Sequence, residues 1–240
     1  MKIVVISGAT KGLGLAIAER VVRDGYRVIA VARKASPGLS ALIAGAPEQI
    51  ALEPYDFVDA AGIHAFVTRL VKTHGRPWGL VNNAAIGQEG ILATLHEKDI
   101  GTLLRVNLES PILFTKYLLR PMLLSREGRI VNITSITAST GFKGLAVYGA
   151  TKAGLASFSK SLAREVGPAG ITVNNVAPGY METDMTAELG GEKLEAIRRR
   201  SALGRLVEPG DVAHAVSYLL SEQAASITGT TVTVDAGSTA

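Results

Sequence analysis

The chain has 240 residues, 47% of them hydrophobic, and a formal net charge of +4, which predicts a single domain over residues 1–240 and gives no indication of nucleic-acid or membrane-surface binding. It has no cysteine, which excludes disulfides and is compatible with the cytoplasmic location that we expect. The four histidines are scattered without metal-ligand spacing, so no metal site is predicted.

Short β-branched runs alternate with segments of helical period along the chain. Lys2–Ser7 is predicted as a strand, and residues 13–25 follow as an amphipathic helix. Six further strands are predicted at YRVIAVA, QIALEPYD, WGLVNNA, GRIVNITS, GITVNNVAP and GTTVTVDAG. Strands spaced by helices imply a Rossmann-type, doubly wound α/β fold, a seven-stranded parallel sheet with helices on both faces. Residues 181–211 are predicted to be an inserted loop with one or two short helices.

A glycine-rich turn joins the first strand to the first helix in the pattern G-x-x-x-G-x-G. Glycines allow a backbone to approach a diphosphate closely, and a helix N-terminus supplies free N–H groups and partial positive charge. A merely structural turn is the alternative. The predicted phosphate-binding residues are Gly8, Thr10, Lys11, Gly12, Leu13 and Gly14.

The end of the second strand indicates which dinucleotide the turn would bind. An acid there would bind a ribose 2′-hydroxyl, but the strand ends without one and Arg33 and Lys34 follow. Arg33, helped by Lys11, could pair with a 2′-phosphate, so NADP(H) is the predicted cofactor. The alternative is two solvated loop cations. After the third strand, Asp56, beside Phe57, could accept from the adenine amino group or cap the next helix instead.

Tyr148 and Lys152 are spaced i, i+4, which places both on one helical face. A free phenol has a pKa of about 10, and a neighbouring ammonium is expected to lower it toward useful acid–base chemistry. An amphipathic helix with a half-buried tyrosine is the alternative. Ser135 is predicted to end the fifth strand, at the sheet edge where such folds bind ligands, and Asn82 and Asn83 to end the fourth.

Taken together, these motifs resemble the short-chain dehydrogenase/reductase family over essentially the whole chain. Asn82-Asn83-Ala84 matches the N-N-A-G motif with Ala85 in the glycine position, and Ser7 stands where threonine is usual. The family's catalytic set matches Asn107, Ser135, Tyr148 and Lys152. The resemblance also implies cofactor contacts at Asn83, Ala84, Ala85, Tyr148, Lys152, Pro178, Gly179, Met181 and Thr183.

The resemblance implies a role for each catalytic residue. Tyr148 would be the general acid in reduction and the base in oxidation, while Lys152 would lower its pKa and hold the nicotinamide ribose. Ser135 would hydrogen-bond the substrate carbonyl, and Asn107 would hold a relay water. Because Pro111 has no N–H, it cannot bond the carbonyl of Asn107, so we expect a free carbonyl and a kink.

Within that family, the segments SKSLAREVGPAGITVN, NNVAPGYMETDMT and SITGTTVTVDAG are most similar to 3-oxoacyl-[acyl-carrier-protein] reductases. This predicts NADPH-dependent reduction of a ketone in fatty-acid synthesis, a substrate lid at about residues 181–204 and an acidic carrier protein as partner. A basic rim for that partner is predicted from Arg126, Arg129, Arg198, Arg199, Arg200 and Arg205, although arginines in a charged helix are also typical of a solvated face.

Two other functions stay open from the sequence. One is a carbonyl reductase or alcohol dehydrogenase of the same family that acts on another ketone, a sugar or a steroid-like molecule. The other is a catalytically silent NADP-binding regulator, which the intact catalytic set argues against. The resemblance also implies a homotetramer, in which the small residues Ala150, Ala153, Gly154 and Ala156 would permit close helix contact, or equally close packing on the sheet.

Overall fold

In the computed structural model, seven strands form one parallel sheet of order β3-β2-β1-β4-β5-β6-β7. The strands are β1 (Ile3–Ser7), β2 (Arg27–Ala32), β3 (Ile50–Pro54), β4 (Gly79–Asn82), β5 (Gly128–Ile133), β6 (Ile171–Pro178) and β7 (Thr231–Val234). The helices are α1 (Gly12–Arg23), α2 (Pro37–Gly45), α3 (Ile63–His74), α4 (Glu97–Leu104), α5 (Ser110–Ser125), α6 (Ala146–Val166), α7 (Gly191–Arg200) and α8 (Pro209–Leu220). The structure describes residues 1–181 and 191–240, the first four of the latter by backbone only.

Helices cover both faces of the sheet, which confirms the predicted doubly wound fold. Val4 and Ile6 of β1 pack in one buried cluster with residues of α1, α2 and α8. Val5, between them, packs in the other cluster with residues of α3, α5 and α6. Alternate strand residues point to opposite faces, and both faces are buried, so the strands read as nearly continuous apolar runs.

The strand order reverses between β1 and β4, which are neighbours in the sheet although β2 and β3 intervene in the chain. The connections from β1 and from β4 therefore leave toward opposite faces, and a crevice opens at the carboxyl ends of these two strands. Ligands of open α/β sheets bind at this kind of crevice.

All seven predicted strands extend one or more residues beyond the observed ones. The third was predicted over residues 49–56, but β3 ends at Pro54, and it lies at the sheet edge, where a proline is tolerated. The fifth was predicted to end at Ser135, but β5 ends at Ile133. Ser135 instead caps the short 3₁₀ turn Ile136–Ala138, its hydroxyl accepting from the Thr137 N–H at 3.1 Å.

The inserted segment contains the predicted short helix, α7, and runs on to α8. The first turn of α8 is held by a reciprocal capping box between Glu208 and Asp211. Residues 182–190, and with them the predicted cofactor residue Thr183, lie outside the described residues. Among the helices of the described part of the chain, none has the length and apolar character needed to cross a membrane.

Candidate active site

A cleft of about 1180 Å³ lies at the carboxyl ends of the central strands. The structure brings together here every described residue that the sequence predicted for cofactor binding, and three of the four predicted catalytic residues. The lining includes Gly8, Thr10, Lys11, Gly12, Leu13, Gly14, Arg33, Asp56, Phe57, Asn83, Ala84, Ala85, Ser135, Tyr148, Lys152, Pro178, Gly179 and Met181.

The glycine turn follows β1 and forms the middle of this cleft, and its shape depends on two glycines. Gly8 has a φ of +70°, in the left-handed region that favours glycine. A Cβ on Gly14 would stand 2.0 Å from the Gly8 carbonyl oxygen, so α1 can start this close to β1 only without a side chain there. The Asn83 amide donates to the carbonyls of Ser7 and Gly8, at 3.0 and 3.1 Å, and ties the turn to β4.

Serine at position 7, where threonine is usual in the resembled family, keeps a full set of hydrogen bonds. Its Oγ accepts from the N–H groups of Asn83 and Ala84, each at 3.0 Å. The hydroxyl, and not the missing methyl group, therefore joins β1 to the segment after β4.

One end of the cleft lies beyond β2, on the side of the glycine turn opposite to Ser135 and Tyr148. Arg33 and Lys34 are exposed and line the cleft directly after this strand. Asp56 is also exposed on the lining, and its carboxylate accepts from the Val58 N–H at 3.1 Å. Because α3 begins only at Ile63, the interpretation of Asp56 as a helix cap is wrong.

Tyr148 stands in the first turn of α6, beside Ser135. Burial raises the pKa of Tyr148 to about 12, and a hydrogen bond with the Ser135 hydroxyl offsets only part of this rise. The sequence predicted that Lys152 would lower this pKa. The net pKa is raised instead, because removal of the phenol from water outweighs its favourable interactions, and a lowering contribution from Lys152 stays a prediction. At neutral pH the phenol is therefore protonated, as a proton donor must be.

Lys152 lies one turn further along α6 and is buried. Its Nζ donates to the Ile133 carbonyl at 2.8 Å and stands 5.7 Å from the centre of the Tyr148 ring. Burial lowers the pKa of Lys152 to about 8. The carbonyl at the end of β5 thus fixes the ammonium next to the phenol, and Lys152 loses its charge at mildly alkaline pH.

Asn107 is the predicted catalytic residue that does not line the cleft. It is buried, and its side-chain amide pairs with the backbone of Ile86 through two hydrogen bonds of 2.9 Å each. Ile86 does line the cleft, so Asn107 shapes the wall from behind. The chain forms a π-helical turn over Arg105–Glu109, just before Pro111, where a kink was expected. A free Asn107 carbonyl stays a prediction.

The cleft continues past Ser135 into a region that the sequence analysis did not assign. Tyr180 lines the cleft there, and Phe142, which is not a lining residue, packs edge to face against it with ring centres 5.8 Å apart. Burial, and secondarily the charge of Glu89, raise the pKa of Tyr180. Leu145 completes this lining. The signal available in the sequence was proximity to known motifs, since Tyr180 follows Pro178-Gly179 and Leu145 precedes Tyr148 by three residues.

Two members of the predicted basic rim lie in the wrong place. Arg129 is second in β5 and only 8% exposed; its guanidinium lies over the Trp78 ring at 5.5 Å. Arg126 precedes the strand and donates to the Pro168 carbonyl. Both lie at the amino edge of the sheet, roughly 17 Å along β5 from the cleft. The prediction that they rim this chain's cleft is therefore wrong.

The other predicted rim arginines lie near the inserted segment. Arg205 pairs with Asp211 at 2.7 Å, and Arg199 pairs with Glu195 at 3.4 Å. These pairs support the interpretation as a solvated charged face. Arg200, in contrast, lies close enough to the cleft for its charge to act on the pKa of Tyr180.

Both ends of the inserted segment are hydrogen-bonded to the C-terminal part of the chain, one to the end of β7 and the other to the residues that follow it. The Gly179 N–H donates to the Val234 carbonyl at 2.9 Å. At the far end, the Ser201 hydroxyl donates to the Ala236 carbonyl at 2.8 Å. The Val207 N–H donates to the Tyr180 carbonyl at 3.2 Å, which joins the residue before the segment to a residue near its end.

Comparisons with known proteins show the family to which the chain belongs. The profile of the family described as enoyl-(acyl carrier protein) reductase matches residues 8–239. The 3-oxoacyl-[acyl-carrier-protein] reductase FabG of Haemophilus influenzae is 39% identical over 98% of this chain and 97% of its own length. The FabG of Pseudomonas aeruginosa is 38% identical over 98% of this chain and 96% of its own length.

Solved structures give the same picture. A variant of actinorhodin polyketide ketoreductase solved with NADPH superposes with a TM-score of 0.91 at 34% identity, covering 98% of this chain and 96% of its own. A short-chain dehydrogenase/reductase from Serratia marcescens has a TM-score of 0.92 at 32% identity, covering 100% of this chain and 98% of its own. The chain belongs to the short-chain dehydrogenase/reductase family. It is an oxidoreductase that acts on CH–OH and C=O groups.

Proposed function

We propose that this chain is an NADPH-dependent ketone reductase whose substrate is a 3-oxoacyl group carried on acyl carrier protein, reduced to the 3-hydroxyacyl form in fatty-acid synthesis. The observation that carries the chemistry is the joint placement of Ser135, Tyr148 and Lys152 in one cleft. The similarity to 3-oxoacyl-[acyl-carrier-protein] reductases along nearly the whole chain supports the substrate class.

The residues of the cleft fit a dinucleotide phosphate. The glycine turn leaves the backbone of Gly8–Gly14 bare toward the cleft, where it would hold the diphosphate at the start of α1. Arg33 would pair with the 2′-phosphate, and Asp56 would accept from the adenine amino group. Lys152 would hold the nicotinamide ribose hydroxyls. When bound, NADPH supplies the hydride.

The side chains at the other end of the cleft would handle the proton and the developing charge. Ser135 would donate a hydrogen bond to the substrate carbonyl oxygen and so stabilise alkoxide character as it forms. Tyr148, protonated at neutral pH, would give its proton to that oxygen. The Lys152 ammonium, 5.7 Å from the ring centre, would stabilise the phenolate that remains.

A direct absorbance assay tests this proposal. NADPH and NADH oxidation would be followed with acetoacetyl carrier protein, an acetoacetyl thioester of a small thiol, and a panel of simple ketones and keto sugars. We expect turnover of both thioesters with NADPH, faster on the carrier protein. Turnover confined to other ketones would reject the proposed 3-oxoacyl substrate. Cofactor binding without any turnover would reject the proposed reductase activity.

A reductase for a different ketone is the second candidate. The position of Arg126 and Arg129 at the opposite sheet edge favours it, because it removes two cations from the predicted docking rim. Tyr180 favours it as well, since its ring lines the cleft, is supported from behind by Phe142 and can pack against a bulkier ketone. The thioester arms of the same assay separate the two candidates.

We further propose that the chain is one domain over residues 1–240, acts in the cytoplasm and assembles as a homotetramer. Residues 181–204 would form the substrate lid, with Thr183 contacting the cofactor. Hydrogen bonds hold both ends of this segment to the end of β7 and to the residues after it, which supports a lid that moves between fixed ends. The small residues of α6 give the tetramer little support, since Gly154 already packs against Leu108 of the same chain. Size-exclusion chromatography with light scattering measures the assembly.

A further inference from the structure

A row of polar residues crosses the buried sheet one residue below the active site. Asn82 of β4 is in register with Asn132 of β5, Asn132 with Asn175 of β6, and Asn175 with Thr231 of β7. The three asparagines are buried. Each of four successive strands therefore contributes one polar side chain to a single line, which we call the asparagine row.

Hydrogen bonds run along the asparagine row in one direction. Asn82 Nδ2 donates to Asn132 Oδ1 at 2.7 Å, and Asn175 Nδ2 donates to Thr231 Oγ1 at 3.1 Å. Ser159 of α6 bridges the two middle strands. Its Oγ accepts from Asn132 Nδ2 at 2.7 Å. Its single hydrogen has two acceptors within reach, Asn175 Oδ1 at 2.6 Å and the Leu155 carbonyl at 2.9 Å, and the shorter contact is the one with Asn175. One helix residue thus completes a chain of bonds through the sheet.

Ser159 stands seven residues after Lys152 on α6, two helical turns away on the same face. Ile133, whose carbonyl binds Lys152 Nζ, directly follows Asn132 in β5. Helix α6 is therefore hydrogen-bonded at two points along its length to adjacent residues of β5. Tyr148 lies one turn beyond Lys152, so its position follows from the same two attachments.

Apolar packing alone would not fix the position and rotation of α6 on the sheet. Apolar contact has no preferred direction and tolerates small slides and rotations, whereas a hydrogen bond weakens steeply when it is misaligned. Burying this many amides costs free energy, which an apolar row would avoid. A buried network whose polar atoms are nearly all bonded instead rigidifies one arrangement, and in this row Asn82 Oδ1 is a buried atom without a partner.

We propose that Ser159 is a positioning residue for the reaction: held between Asn132 and Asn175, it sets the height and rotation of α6, and through them the places of Lys152 and Tyr148. The inference rests on the acid–base roles of Tyr148 and Lys152 in the proposed function. The same argument makes Asn132 and Asn175 the partners through which Ser159 acts.

Ser159→Ala tests this proposal, with Thr115→Val as the matched control. Thr115, on α5, accepts from Asn82 Nδ2 at 2.8 Å, so its loss also leaves a buried amide hydrogen unpartnered, but away from α6. We expect Ser159→Ala to lower kcat by about tenfold or more, with the dissociation constant of NADPH within about twofold of the parent. Thr115→Val should lose comparable stability and keep kcat.

Crystal structures of both variants supply a readout that does not depend on the substrate. We expect the 2.8 Å contact of Lys152 with Ile133 to be lost in Ser159→Ala and kept in Thr115→Val. Ser159→Cys, close in volume, replaces the alanine variant if that does not fold. Parent-like kcat and an intact Lys152 contact would overturn the proposal. If Tyr148→Phe were active, the proposed function would fail, whereas the structural comparison would still decide the role of Ser159.

Discussion

The Lys152 ammonium donates to the Ile133 carbonyl at 2.8 Å while lying 5.7 Å from the centre of the Tyr148 ring. A backbone atom, and not a carboxylate, is thus the observed partner of this buried charge. Because a carbonyl compensates only part of the lost hydration, burial lowers the pKa of Lys152 to about 8.

This pKa predicts an alkaline limb in reduction. Lys152 is charged below about pH 8 and neutral above it, so kcat/KM for ketone reduction should fall as the pH rises through about 8. Lys152→Arg, which stays charged, should move the limb to higher pH at whatever activity remains. The profile would be recorded between about pH 6 and about pH 10 with saturating NADPH. A flat profile for the parent enzyme would contradict this role of the ammonium.

Tyr148→Phe should lower the rate of reduction by about 100-fold or more, because the proton donor is removed. NADPH affinity should change little, since the ring remains and the phosphate turn, which follows β1, is a separate part of the cleft lining. Tyr218→Phe is the matched control, because Tyr218 is exposed on α8 outside the cleft lining. Stopped-flow fluorescence for binding and absorbance for turnover separate the two effects. Near-parent turnover in Tyr148→Phe would show that another group delivers the proton.

Arg33→Ala should raise the KM for NADPH about tenfold and leave that for NADH nearly unchanged, because a charge-assisted hydrogen bond to the 2′-phosphate is lost. Arg23→Ala provides the comparison, since Arg23 is an exposed α1 cation that pairs with Glu19. Initial rates at varied cofactor concentration measure both constants. An equal change for the two cofactors, or a parent enzyme that prefers NADH, would refute the cofactor assignment.

Gly14→Ala should weaken NADPH binding and destabilise the fold, because its Cβ would stand 2.0 Å from the Gly8 carbonyl oxygen and force the turn open. Gly45→Ala tests the same chemical change at the end of α2, where nothing lies within 4 Å of the added carbon. Thermal unfolding with and without NADPH reports both effects. A parent-like stabilisation by NADPH in Gly14→Ala would mean that the turn does not hold the phosphates.

The sheet, the glycine turn and the candidate reacting groups could be predicted from the sequence. Strand content followed from β-branched runs, and parallel pairing followed from the helices between them, since both depend on neighbours along the chain. The pairing of Tyr148 with Lys152 followed in the same way from the rise of one helical turn.

The electrostatics of the site and the set of residues that reach it could not be predicted, because both depend on packing. The i, i+4 spacing predicted a lowered pKa for Tyr148, but the packing around it removes water and raises the pKa to about 12. Arg126 and Arg129 were predicted to rim the cleft, but they lie near the start of β5, at the opposite edge of the sheet. Ser159 carried no motif, because its partners Asn132 and Asn175 meet it only across the folded sheet. Burial and distance between remote segments arise from packing, and no local pattern encodes them.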